Sequence, residues 1–388
     1  MSSAPRNKNW LRRLLSPLGR QLWQWRCARQ NRAVRKSAKQ IRRGPTPRGG
    51  ALRVAYVHPR FPLAPQMAHI GGGGAVKYLW LAERFPHSFP ECDAVYAVSS
   101  AHHPQTAAVF AAARQRGIPI IWNQDGAFFP HSYGAAEAQA GNRAMGELFH
   151  MADYVLYQSE FARSSSHLFL GERQGPGEVL YNAIDTNFYR PLPERRDPGH
   201  VLLAAGSHDD AYRLPLVLDV FQIVRRQIPD ARLLLAGRMA PAVLTAAQRR
   251  IEQEQWQSCV EWLGPYTPNA TPFLFNRAHL FLHVKYSDVC PSVVLEAMAC
   301  GLPVAFSATG GTPELVGEAG IGVPSEQDWE CPRPPAAAAL ANAVVRIMGA
   351  REEYSRLARQ RAVSLFDIQP WLARHEAVMR EWMERRRS

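Results

Sequence analysis

Two carboxylates, Asp288 and Glu296, stand eight residues apart in the run Ser287-Asp288-Val289-Cys290-Pro291-Ser292-Val293-Val294-Leu295-Glu296. Phe281-Leu282-His283-Val284, just upstream, is a short apolar run of strand type. Pro291 fits the first helical position, where a missing N–H costs nothing. The apolar residues from Val293 to Ala299 continue a short buried helix that Gly301 closes. A strand feeding such a helix is an anion site: the unpaired amides of Ser292 and Val293 and the helix dipole favour phosphate oxygens. Helical side chains tilt toward the N-terminus, so Glu296 shares the Ser292 face and reaches back to the helix start. A carboxylate there accepts from the paired hydroxyls of a ribose, while Asp288 faces the ligand from the loop and accepts from sugar hydroxyls. The competing reading is an ordinary strand–helix unit with a solvated Asp and a surface Glu.

A second candidate is Gly71-Gly72-Gly73-Gly74, ahead of the helical pattern Val76, Leu79, Trp80, Leu81. Such a loop lets backbone approach a diphosphate closely, with Gly73 and Gly74 nearest the helix. A flexible turn explains it equally, since the G-x-G-x-x-G spacing is absent. Asp125, in Trp122-Asn123-Gln124-Asp125-Gly126, follows a strand; it binds a hydroxyl or forms a turn. There is no Ser/His/Asp triad and no zinc-ligand spacing, and His102-His103 reads as a loop feature.

The segment from Asp288 onward resembles the GT-B retaining glycosyltransferases of glycosyltransferase family four. Their signature is Glu-x7-Glu, then Ala-Met-Ala-x-Gly-x-Pro-Val, then Gly-Gly-x-Pro-Glu. Here it reads Asp288-x7-Glu296, Ala297 to Val304 and Gly310 to Glu314. Tyr181-Asn182-Ala183-Ile184-Asp185 with Phe188-Tyr189-Arg190-Pro191 is similar to the family's hinge segment. The resemblance implies a nucleotide-diphosphate sugar donor, retention of anomeric configuration, and catalytic roles at Asp288, Glu296 and Asp125. The last stands where the family commonly has a His beside the donor sugar. Family members carry Gly-Arg near the first strand of the second domain; here Ser207 replaces the Arg. Arg213 and Lys285 are therefore the cations left to meet the donor phosphates, with Gly73, Gly74, Ser292, Val293 and Glu296 completing the donor site. No metal and no cofactor beyond the donor are implied.

These residues need a scaffold, and the chain from residue 52 onward alternates short apolar strands with helical stretches, as a parallel α/β sheet does. The expected strands are Leu52–Val57, Ala94–Val98, Ile118–Trp122, Tyr154–Tyr157 and Val179–Tyr181, then Val201–Ala205, Leu233–Ala236, Val260–Leu263, Leu280–Val284 and Val304–Phe306. Between the two sets lies the polar, Pro-rich stretch 190–199, read as a linker. The fold class is α/β with GT-B architecture: two Rossmann-like domains with a cleft between them. Domain one is 51–190, on the acceptor side; domain two is 199–365, for the nucleotide-sugar. Residues 366–388 form a terminal helix, amphipathic through Trp371, His375, Val378 and Trp382, which the resemblance sends back across to the first domain.

The net charge of +13 over 388 residues is a property of one end. Residues 1–50 hold 14 Lys/Arg and no Asp or Glu, leaving 46 − 14 = 32 basic against 33 acidic residues in the remainder, a charge of −1. In that segment Trp10, Leu11, Leu14, Leu15, Leu18, Leu22 and Trp25 recur among arginines. An anionic membrane surface is the leading partner. A solvated tail, nucleic-acid contact and an organellar transit peptide are the other readings. Six cysteines without C-x-x-C spacing fit a reducing cytoplasm, with the chain peripheral on the inner face of the membrane. No apolar stretch is long enough to span a bilayer.

The leading expectation is a glycosyltransferase of hexosyltransferase type acting on a glycan or lipid-linked acceptor in cell-surface polysaccharide or glycolipid synthesis. The alternative is a non-catalytic GT-B protein assisting glycan synthesis as a binding partner; a nucleic-acid binder ranks third.

Overall fold

The computed structural model describes residues 52–58 and 73–386. The basic segment 1–50 and the glycines Gly71 and Gly72 lie outside them. Backbone contacts divide the chain into two compact units. The first ends at Leu180 and also takes 329–331 and 370–388; the second holds Tyr181–Asp328 and Pro332–Gln369. The Pro-rich stretch 190–199 thus sits inside the second unit. Its polar residues are anchored there: Asp197 lies 2.9 Å from the Arg277 guanidinium, and the Leu192 amide donates to Asn276 Oδ1 at 2.6 Å.

Among the described residues, the first unit holds a five-stranded sheet in the order β1-β2-β3-β4-β5. The strands are Val54–Tyr56, Ala94–Val98, Ile120–Gln124, Tyr154–Tyr157 and Gly177–Val179 (β1 to β5), all paired in parallel. Every residue of β1, β2 and β3 is buried, which follows from parallel strands being covered on both faces. Helix Gly73–Arg84 follows β1, and its Tyr78 packs edge-on against Tyr56 and Tyr96 with ring centroids 6.0 Å away in each case.

The final helix, Ile368–Arg385, has its Trp371, His375, Val378 and Met379 buried in this unit. Trp371 meets Trp80 edge-on at 6.0 Å, and Arg374 clasps Glu178 through two hydrogen bonds of 2.7 and 2.9 Å. His375 Nε2 lies 3.2 Å from the Tyr96 hydroxyl; burial pushes this histidine down to about 3, so it is neutral. No helix among the described residues is long and apolar enough to cross a membrane.

The second unit holds a six-stranded parallel sheet in the order β11-β10-β9-β6-β7-β8. Its strands are His200–Ala205, Ala231–Ala236, Val260–Gly264, Leu280–His283, Val304–Ala308 and Gly320–Pro324 (β6 to β11). Two apolar cores cover its faces, one under helix Ser292–Ala299, the other under helices Arg213–Gln227 and Ala337–Gly349. The strand order reverses between β6 and β9. In open α/β sheets ligands bind outside the carboxyl ends of the strands at such a reversal.

β11 was not among the expected strands. Its Gly-Ile-Gly-Val-Pro sequence reads as a turn, yet its glycines are what bring it close. A Cβ at Gly320 would collide with the Val304 carbonyl, and one at Gly322 would press to 2.7 Å on the Phe306 ring.

Candidate functional site

The strand reversal is built by backbone approach. Gly206 and Gly237, following β6 and β7, have φ of +111° and +117°. A Cβ on Gly237 would strike the Gly206 carbonyl oxygen. Gly237→Ala is therefore expected to cost about 2–4 kcal/mol, combining a left-handed backbone with a backbone clash. A urea midpoint equal to wild type would remove this account of the loop.

Beyond β6 the chain runs through Ser207 to Arg213, the first residue of helix Arg213–Gln227. The Arg213 side chain is buried, donates to the Ser207 carbonyl, and keeps Nε without a partner. Its charge is felt at both His208 and His283, where it opposes protonation. The residue expected to replace the missing family Arg is thus in place beside the strand ends, with part of its guanidinium committed to the loop that lacks that Arg.

The segment after β9 carries Lys285 and Asp288. Lys285 Nζ lies 2.9 Å from Asp288 Oδ1, and the other carboxylate oxygen lies 3.4 Å from His283 Nε2. Burial works against the charge on Asp288, but Lys285 and His283 outweigh it and hold the carboxyl well below the usual range. Burial also pushes His283 down, so it stays neutral; neither ring nitrogen makes a well-formed hydrogen bond, and Nε2 only approaches Asp288. His283 was passed over as part of an apolar strand. A His closing a strand two residues ahead of a Lys and five ahead of an Asp was the available signal.

The loop is pinned from beneath by the Gly-Gly turn. Ser287 adopts φ +49° and donates its amide to Thr309 Oγ1 at 3.0 Å; the Gly311 amide donates to the Asp288 carbonyl at 2.8 Å. Gly310 has φ +70°, and a Cβ there would collide with that same carbonyl. The second glycine pair therefore seats Asp288.

Helix Ser292–Ala299 begins one residue later than expected: Pro291 precedes it, with φ −69° and ψ 106°. The Val294 amide reaches the Pro291 carbonyl at 3.0 Å, which leaves the Ser292 and Val293 amides at the open end. Gly301, at φ +77°, follows the helix end. Glu296 projects toward Tyr189 and Tyr266, whose ionisation its charge opposes. Burial pushes Glu296 up to about 8, against the hydrogen bond from Tyr189. Two carboxylates flanking one helix start thus have opposite habits. Asp288 is held as an anion, and Glu296 prefers its proton near neutral pH. Environments that push paired groups apart are how acid, base and hydrogen-bonding roles are divided.

Gly73, Gly74 and Asp125 lie in the first unit. Asp125 follows β3 and accepts from Lys77 Nζ at 2.9 Å, from the Gln158 amide and from the Ser100 hydroxyl. Gly74 packs closely on this pair: a Cβ there would collide with Ser100 Oγ and approach Asp125 Oδ2 to 2.7 Å. Lys77 was not anticipated, because its partners Asn123 and Asp125 are 46 and 48 residues away. Among the described residues no group of His, Cys, Asp or Glu is arranged to hold a metal ion.

Residues 186–362, nearly all of the second unit, match the family model described as "Glycosyl transferases group 1". The second unit is therefore similar to a group 1 glycosyltransferase domain. The chain is similar to the phosphatidylinositol N-acetylglucosaminyltransferase gpi3 subunit of Schizosaccharomyces pombe, at 26% identity over 46% of this chain and 40% of that protein. It is also similar to a D-inositol 3-phosphate glycosyltransferase of Mycolicibacterium paratuberculosis, at 29% identity over 36% of this chain and 33% of that protein. The chain thus spans less than half the length of these relatives. Among solved structures, Anabaena HepE in complex with UDP and glucose superposes with a TM-score of 0.59 at 18% identity, covering 78% of this chain and 80% of that one. The two-sheet α/β architecture is that of GT-B glycosyltransferase structures.

Proposed function

We propose that the protein transfers a sugar from a nucleotide-diphosphate donor to a hydroxyl of a glycan or lipid-linked acceptor, with retention of anomeric configuration. The observation that carries this reading is the helix start at Ser292, with open amides, an anionic Asp288 on one side and a protonated Glu296 on the other. The diphosphate would sit on the Ser292 and Val293 amides, with Arg213 and Lys285 nearby to meet the charge that grows as the anomeric carbon–phosphate oxygen bond breaks. Glu296 would take the ribose hydroxyls and Asp288 a hydroxyl of the sugar. The acceptor oxygen bonds to the anomeric carbon as the diphosphate leaves, and its proton departs with the leaving group.

The names of the relatives, which carry N-acetylglucosamine and inositol, make UDP-N-acetylglucosamine and inositol-bearing acceptors the first to try. The basic segment 1–50 supports a reading in which this work takes place at an anionic membrane surface on the cytoplasmic side, in surface polysaccharide or glycolipid synthesis.

A second reading, a non-catalytic partner in glycan synthesis, is favoured by one observation. Both candidate phosphate cations have internal partners, Arg213 the Ser207 carbonyl and Lys285 the Asp288 carboxylate. A panel of UDP-N-acetylglucosamine, UDP-glucose and GDP-mannose separates the two readings. A donor at a hundred times its Kd adds about 2.7 kcal/mol to the folded state, a rise in Tm of a few degrees. Stabilisation with release of the nucleoside diphosphate is the expected result. Stabilisation without turnover supports the non-catalytic reading, and no response to any donor removes both.

A further inference from the structure

Lys77 lies in the second turn of helix Gly73–Arg84, and its side chain is 3% exposed. An ammonium so deep persists only with partners. It donates to Asn123 Oδ1 at 3.0 Å and to Asp125 Oδ1 at 2.9 Å. The Gln158 amide donates to the same two acceptors, at 3.3 Å to Asn123 Oδ1. Ser100 Oγ donates to the other oxygen of Asp125, while the Asp125 amide donates to Ser99 Oγ at 2.8 Å. One helix and the carboxyl ends of β2, β3 and β4 therefore converge on a single carboxylate.

Stability alone does not call for this arrangement. A buried ion pair is often matched or bettered by apolar residues of similar volume, because both charges must be desolvated. What the network provides is direction. Lys77 and Gln158 hold Oδ1, Ser100 holds Oδ2, and the carboxylate remains 15% exposed. Three donors leave an ionised carboxylate with acceptor capacity unused. That free edge stands at the carboxyl ends of the strands, the side of an open parallel sheet where ligands bind.

The geometry points to Lys77 as a positioning residue: through the Lys77–Asp125 pair it fixes Asp125 as an oriented anion whose exposed edge accepts a sugar hydroxyl during transfer. The inference rests on the sugar-transfer reading above. Asp125 acts as a hydroxyl acceptor here, and Lys77 never touches the substrate.

The test compares the full-length wild type, Lys77→Met, Asp125→Asn and the double variant. Two measurements are made on each: urea unfolding, and nucleoside diphosphate release from UDP-N-acetylglucosamine, UDP-glucose and GDP-mannose. Removing one partner of a buried pair strands the other, so each single change is expected to shift the unfolding equilibrium about a hundredfold or more. The charge-neutral double variant is expected to stay within about tenfold of wild type, so it remains folded where a single variant does not. Its kcat is expected to fall about a hundredfold, with donor KM changed less than about threefold, because the nucleotide contacts proposed at Ser292, Val293 and Glu296 are untouched by either change. Additive effects of the two changes on unfolding overturn the pair. A coupled pair whose double variant keeps the wild-type kcat overturns the positioning role and leaves a structural one. A wild type that turns over none of the donors overturns the transfer reading and this role with it, a failure distinct from the other two.

Discussion

At pH 8 and above, where its carboxyl ionises, replacing Glu296 by glutamine (Glu296→Gln) is expected to cost about a hundredfold in kcat/KM for donor turnover while making the protein more stable than wild type. Both halves follow from one fact: burial pushes the carboxyl up to about 8, from an ordinary 4.5. A group whose pKa is raised on folding supports the native state fully below its unfolded value and ceases to do so as pH rises through the folded one. Between pH 4.5 and about 8 the wild type thus gives up stability that a glutamine, which does not titrate, retains. At 1.36 kcal/mol per pKa unit the difference approaches about 5 kcal/mol above pH 8 and vanishes below pH 4.5. Urea unfolding at pH 5, 7 and 9 reads it directly.

The functional half has the same origin. A donor diol supplies two hydroxyls, and an ionised carboxylate accepts from both through charge-assisted bonds, whereas an amide offers one acceptor oxygen. Donor affinity of the wild type should accordingly rise with pH toward 8 and level off above it, and that of Glu296→Gln should stay flat. Equal donor affinity in the two proteins across that range would detach Glu296 from the nucleotide.

The scaffold was largely legible in the chain. Ten apolar runs each contain or overlap an observed strand; most of these strands are buried on both faces and so read as continuous hydrophobic stretches, whereas the outlying β5 and β8 are only partly covered. β11 escaped because its pairing depends on what Gly320 and Gly322 lack, a Cβ, and the reason appears only once Val304 and Phe306 lie beside them. The site was legible in residue type and less so in state. Asp288 and Glu296 read as two similar acids; their opposite proton affinities come from Lys285 and His283 on one side and from apolar burial beside Tyr189 on the other. Arg213 read as an open cation and is instead buried, with the Ser207 carbonyl as a partner. Lys77 could not be paired from the sequence, since helix, strand ends and carboxylate meet only through the fold.

Asp288→Asn tests the other acid, and its signs are reversed. The folded protein holds this carboxyl below its usual range, through Lys285 and His283 and against burial. Such a group contributes stability above the unfolded value of 3.8, and the contribution fades as pH falls through the folded one. Wild type should therefore exceed Asp288→Asn by a constant amount from pH 5 to 8, with the gap closing under acid. The amount is held to about 1–2 kcal/mol because Lys285 is 39% exposed and its attraction is screened by solvent. Catalysis should suffer more. Without the carboxylate, Lys285 is free to pair with the donor diphosphate, so the ground-state complex should bind at least as tightly as in wild type. The anion facing the sugar is gone, and kcat should fall by about a hundredfold or more. Tight binding with slow turnover is what distinguishes a lost transition-state contact from a damaged pocket, in which KM and kcat would worsen together. A kcat within about threefold of wild type would mean that the carboxylate serves only to order the loop over Gly310, a task its backbone carbonyl performs by accepting from the Gly311 amide at 2.8 Å.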